Sequence, residues 1–124
     1  MKLSEEEFDR IVRRALDRIP TELSQYLDNL IISVRKRPSR KMLREMNLET
    51  GDALFGLFDG VPLTERSVTS PPLFPDTILL FQGPLEAACD TLEQLEEEIE
   101  VTIVHEVAHF VGMSEERLAE LGYD

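Results

Sequence analysis

The sequence predicts an α+β fold: a small sheet of three or more strands packed with helices, with the helix that carries the chemistry near the C-terminus. Three observations lead there. Apolar residues recur at helical spacing in two stretches, residues 5–19 and 91–113. Between them lie three short runs of β-branched and large apolar residues, at 30–34, 54–58 and 77–81. The 124 residues, 42% hydrophobic and 31% charged, suffice for one domain, residues 1–124, with a modest core.

The first helix opens on Ser4 followed by Glu7, a capping-box pattern. Phe8, Ile11, Val12, Ala15, Leu16 and Ile19 then fall on one face, and Pro20 closes the run. Residues 21–27 have room for one further short turn. Leu30-Ile31-Ile32-Ser33-Val34 reads as a strand. Pro38-Ser39 opens a short helix with Met42, Leu43 and Met46 along one side. Leu54-Phe55-Gly56-Leu57-Phe58 reads as the second strand, and Asp59-Gly60 is a turn signal. Residues 61–75 contain Pro62, Pro71, Pro72 and Pro75 and read as a long loop, a length that in a small domain usually carries function. Thr77-Ile78-Leu79-Leu80-Phe81 is the third strand, ended by Gly83-Pro84. The long helix that follows begins polar, with Glu93, Glu96, Glu97, Glu98 and Glu100 expected at the surface. It turns apolar nearly all round from Val101 to Val111, the composition of a buried helix. Gly112 ends it. Ser114, with Arg117, Leu118 and Leu121 behind it, starts a last short helix, and Gly122 suits its C-cap.

The formal charge is −12, unevenly spread: residues 1–50 carry 11 Lys/Arg and 9 Asp/Glu, residues 51–124 carry 2 and 16. A strongly negative second half repels phosphate backbones and anionic lipid, so neither nucleic acid nor a membrane surface is an expected partner. The basic cluster Arg35, Lys36, Arg37, Arg40, Lys41 and Arg44 could grip an anionic partner, but it reads first as a solvated face. No stretch approaches the ~20 apolar residues of a membrane span. The first residues are acidic and polar, without the apolar region of a signal peptide. The one cysteine, Cys89, has no partner for an intramolecular disulfide and reads as a structural thiol. Both features point to the cytoplasm.

The chain's two histidines, His105 and His109, fall in a single His-Glu-x-x-His motif inside the long helix. Residues i and i+4 stack on one helix face. Two imidazoles placed so can reach one metal ion at the ~2.0–2.1 Å of a Zn–N bond. Glu106 lies on an adjoining part of that face, where a carboxylate can take a proton from activated water. The competing reading is a pair of satisfied core histidines. Against it stands the cost, several kcal/mol, of burying such groups unpaired. A catalytic zinc needs a third protein ligand.

The run His105-Glu106-Val107-Ala108-His109-Phe110-Val111-Gly112-Met113-Ser114-Glu115 resembles the extended zinc-peptidase signature H-E-x-x-H-x-x-G-x-x-H. Gly112 matches its turn position and Glu115 its third-ligand position, a carboxylate where the signature has histidine. Glu116 is the alternative ligand. Glu115 also reads simply as a first-turn acid after the Ser114 cap, where the helix dipole favours it. The chain is closer still to a family of small bacterial proteins with minimal zincin-like metallopeptidase domains. The shared features are Gly83-Pro84-Leu85 after the last strand, the acidic Leu-rich helix into the motif, and Glu116-Arg117-Leu118-Ala119-Glu120-Leu121-Gly122 at the end. The likeness is firm from about Thr77 onward. It implies a zincin-type core in a cytoplasmic bacterial protein.

The resulting expectation is a zinc-dependent peptidase acting on a peptide or protein substrate. Zinc would sit on His105, His109 and Glu115, with Glu106 as general base. No oxyanion helper is evident, because no motif places Tyr26 or Tyr123 at the site. An extended substrate would pair along an edge strand, and residues 77–82, directly before the helix, are the candidate. The rival expectations are a non-catalytic zinc-binding interaction domain, in which Glu106 only orients a histidine, a zinc hydrolase of another substrate class, and an adaptor working through the basic cluster. Oligomeric state is not legible from the sequence.

Overall fold

A computed structural model of the chain describes residues 1–48, 54–60 and 76–123. The long loop expected at 61–75 lies outside them. Among the described residues the elements are α1 (Glu5–Asp17), α2 (Thr21–Ser24), a 3-10 turn (Leu27–Asn29), β1 (Leu30–Arg35), α3 (Arg40–Glu45), β2 (Gly56–Asp59), β3 (Asp76–Phe81), α4 (Gln82–Ala88), α5 (Leu92–Val111) and α6 (Glu115–Glu120). The α+β class and the helix near the C-terminus are as expected.

The sheet is mixed, in the order β1-β3-β2. β1 runs parallel to β3, with Ile32 opposite Ile78 and Val34 opposite Leu80. β2 runs antiparallel to β3, with Gly56 opposite Leu80 and Phe58 opposite Ile78. Residues paired this way share a face of the sheet, and this face meets the helices. Leu30, Ile78 and Leu80 join Phe8, Ile11, Val12 and Ala15 of α1 and Leu95, Ile99, Ile103, Val104 and Val107 of α5 in one buried cluster. On the other face Leu79 and Phe81 are also buried, as is Leu43 of α3.

The ends of α1 and α5 form as their sequences dictate. Ser4 Oγ accepts from the Glu7 amide and the Glu7 side chain accepts from the Ser4 amide, satisfying two donors that a helix start leaves without partners. Thr91 and Gln94 repeat the device at α5. Gly112 closes α5 at φ 72°, and the Met113 amide reaches back to Ala108 O. That left-handed turn suits glycine.

Three findings depart from the sequence reading. First, β3 ends just before Gly83-Pro84 as expected, but that pair sits in the first turn of a helix, α4, that was not anticipated. Proline lacks only an N–H that a helix start leaves unbonded anyway. α4 fastens the segment before α1, since its buried Glu86 accepts from the Leu3 amide (2.7 Å) and its buried Gln82 donates to Leu3 O (3.0 Å). Second, β3 cannot be the edge strand, because both its sides are taken up by β1 and β2. Third, α5 is not buried all round. Its C-terminal half turns Ile103, Val104, Val107, Ala108 and Phe110 inward but leaves the His109 side chain 71% exposed. Conversely Glu100, expected outside, is buried.

Candidate metal centre on the fifth helix

Thr102, Glu106 and Phe110 are four residues apart and so line one side of α5. β2 lies along that side. At Gly56 a Cβ would stand 2.6 Å from Thr102 Cγ2 and 3.1 Å from Leu79 O, so the strand rests on the helix there without room for a side chain. Two residues on, the Phe58 amide donates to Glu106 Oε2 at 3.0 Å. The Phe58 ring then packs on Phe110, centroids 5.2 Å apart and tilted by 40°. The two steps along the chain match because two strand residues advance about as far as one helical turn. The Phe81 amide donates to Phe55 O, so the groups of Phe55 face β3. By alternation Phe58 turns its amide away from the sheet. Glu106 thus caps a donor on the outer edge of β2.

Glu106 is mostly buried, its side chain 16% exposed, and His109 Nδ1 lies 3.8 Å from the same Oε2. Burial pushes the Glu106 carboxyl above the usual carboxylate range. His109, the Phe58 amide and His105 each draw it part of the way back.

His105 is half-buried one turn earlier, and its Nε2 hydrogen-bonds the main-chain carbonyl of Tyr123 at 3.0 Å. Such a carbonyl on one ring nitrogen is how metal-ligating histidines are commonly held. Tyr123 therefore does reach the site, though not as an oxyanion helper: its hydroxyl is turned aside to Glu100 Oε2 (2.5 Å). Burial first, and then the Glu100 carboxylate, hold that hydroxyl protonated well above the ordinary tyrosine range. Glu100 in turn lies 2.9 Å from Arg18 Nε, an ionic contact without an aligned hydrogen bond at Oε1.

His105, Glu106 and His109 are brought together by one helix. Glu115 is not gathered with them: it is the first residue of α6, exposed beside the Ser114 cap, whose hydroxyl accepts from the Arg117 amide. Glu116 is exposed as well. Among the described residues no three His, Cys, Asp or Glu side chains converge closely enough to hold a metal ion. The donor chemistry nevertheless fits zinc: two imidazoles at i and i+4 and no thiolate. The Phe58 amide, Tyr123 and Glu100 were not anticipated, and nothing local in the sequence marks them, since two act through backbone atoms and the third is one among many acids.

The remaining candidates are elsewhere. Arg35, Lys36, Arg37, Arg40, Lys41 and Arg44 are all exposed, as a solvated face should be, and Cys89 is buried. A groove of about 440 Å³ between α1 and β1, lined by Glu5, Glu6, Asp9, Arg35 and Lys36 among others, shares no residue with the motif. No helix among the described residues is long and apolar enough to cross a membrane.

No curated protein matches the sequence. Among solved structures the chain is similar to a conserved hypothetical protein from Thermo thermophilus, with a TM-score of 0.57 and 19% identity, covering 98% of this chain and 100% of that one. At that identity the likeness concerns the fold. The family model described as zincin-like metallopeptidase matches residues 27–123, a span that takes in the sheet, α5 with its His-Glu-x-x-His motif, and the C-terminal turn onto His105, and the chain accordingly belongs to the zincin-like metallopeptidase family.

Proposed function

We propose that the protein is a zinc-dependent peptidase in which His105, His109 and Glu115 hold the metal and Glu106 is the general base. The observation that carries this reading is the setting of Glu106. It shares a helix flank with both histidines, is pinned by the Phe58 amide of an edge strand, and is raised in proton affinity by burial. Zinc, when bound, supplies Lewis-acid activation of water and of the scissile carbonyl. Glu106 accepts the proton of the attacking water at its carboxylate and delivers it to the leaving amine. His105 and His109 present imidazole nitrogens from adjacent turns of one rigid helix. Glu115 follows Gly112 at the spacing of the extended zinc-peptidase signature, and its carboxylate would have to swing in from the start of α6.

The substrate is assigned to β2 rather than β3. β2 is the edge strand beside the motif among the described residues, and an extended peptide pairing with its outward groups would run past Glu106, taking over the Phe58 amide as that carboxylate turns to the attacking water.

Elemental analysis of the wild type, His109→Ala and Glu115→Ala, followed by peptide-library cleavage with Glu106→Gln as control, tests the proposal. About one zinc per chain, lost in both ligand variants, with cleavage abolished in Glu106→Gln, is expected. Zinc without cleavage in the wild type would turn the reading to a zinc-binding interaction domain. No zinc after reconstitution would overturn it altogether.

A further inference from the structure

The two edges of the sheet are protected unequally. At the β2 edge Glu106 takes the outward amide of Phe58. Among the described residues the β1 edge has no such cap, and β1 pairs with β3 alone. The Phe81 amide goes to Phe55 O, so by alternation Ile78 and Leu80 turn their backbone groups to β1. Ile32 and Val34 then turn theirs away from the sheet. Edge strands are commonly kept from pairing by shortness, prolines, bulges or charges along them. β1 is six residues long, with no proline, an unbroken register on β3, and a single charge, Arg35, at its very end. Its apolar residues are not fully covered either. Ile31 is 46% exposed, and Ile32 and Val34, half-buried, line the groove beside α1.

The geometry points to one occupant: the β1 edge of a second copy of this chain, paired antiparallel about a two-fold axis at Ile32. Opposed residues must both turn their backbone groups outward. Ile32 therefore meets the partner's Ile32, and Leu30 meets the partner's Val34. These residues stand on the face of the sheet that meets the helices, so the pairing extends the apolar core into the groove on each side. The charges just outside the strand select this arrangement. Asp28 precedes β1, Lys36 follows it, and both are exposed. The two-fold brings Asp28 beside the partner's Lys36 and repeats the contact by symmetry, whereas parallel pairing would bring like charges together. The two sheets become one of six strands among the described residues. The contact lies on the edge opposite β2, so the flank of α5 that carries the histidines stays open. The inference does not depend on zinc or on turnover.

A single strand pair with a short groove makes a small interface, so the association is weak. Sedimentation velocity of the full chain from about 10 μM to about 1 mM should show a monomer passing to a dimer. Asp28→Lys and Lys36→Asp each set like charges together twice and should weaken the dimer about 10-fold. The double variant, Asp28→Lys with Lys36→Asp, should regain the wild-type association. Both sites are exposed, so circular dichroism should show each variant folded. Ile32→Cys should form a disulfide-linked dimer on mild oxidation, because opposed Cα atoms in such a pair lie about 5.5 Å apart, within disulfide reach. A wild type that stays monomeric throughout overturns the proposal and leaves the edge to a strand of another protein. A dimer indifferent to both single reversals, or one that Ile32→Cys fails to link, overturns it equally by placing the contact elsewhere.

Discussion

The Phe58 amide and the Glu106 carboxylate, 48 residues apart in sequence, are joined by a 3.0 Å hydrogen bond. The bond occupies a donor that an edge strand would otherwise expose, and it makes the position of β2 part of the chemistry of α5. Changes to the strand should therefore be felt at the carboxylate, and the converse.

The carboxylate's proton affinity sets a pH dependence in the zinc-free protein. Because burial raises the Glu106 pKa above its unfolded value, the folded state holds this proton more readily. The group's contribution to stability is present at acid pH and lost as pH rises through the raised value. Glu106→Gln stays neutral and its amide oxygen can still accept from Phe58. Its melting temperature relative to the wild type should rise as the pH is raised from about 4, the ordinary carboxylate range, through the Glu106 titration. Thermal melts across that range would contradict this if the difference stayed flat.

Gly56→Ala should destabilise the fold by about 1–3 kcal/mol, because the added methyl would meet Thr102 Cγ2 at 2.6 Å. Moving β2 off the helix also strains the Phe58–Glu106 bond. Thr102→Ala, which removes the opposing methyl, should recover part of the loss, and a double-mutant cycle by denaturant unfolding measures how much. Strict additivity would mean that the strand and helix do not meet as described.

Gly112, at φ 72°, ends α5 in the left-handed region. Gly112→Ala should cost about 1–2 kcal/mol and Gly112→Asn less, since asparagine tolerates that conformation. Equal losses for the two in urea unfolding would show that the backbone had relaxed out of the turn.

His109 is the motif residue most open to solvent. His109→Ala should shift the stability of the zinc-free protein by no more than about 0.5 kcal/mol. Zinc at about 100 times its Kd should stabilise the wild type by about 2.7 kcal/mol and leave His109→Ala unaffected. Paired melts with and without zinc check this. A large loss in the zinc-free variant would instead return His109 to a structural role.

Much of the fold was legible because local patterns decide it. The capping box at Ser4, the glycine stops at Gly112 and Gly122, and the three apolar runs each act within a few residues, and each forms close to where expected, though the second strand starts two residues late, at Gly56, and takes in Asp59. The His-Glu-x-x-His spacing likewise determines that His105, Glu106 and His109 share one flank, since helical periodicity alone brings them together. α4 was missed because Gly-Pro, which breaks a helix in its middle, is harmless in its first turn. The exposure of His109 and the burial of Glu100 were illegible because an apolar stretch carries no periodic mark of which side its neighbours will cover. Only the tertiary structure decided that β3 is central and β2 the edge, since strand order depends on contacts between distant segments. It alone put the Phe58 amide on Glu106 and the Tyr123 carbonyl on His105. Nearly every residue has a backbone amide and carbonyl, so no side-chain pattern can announce which of them a site will use.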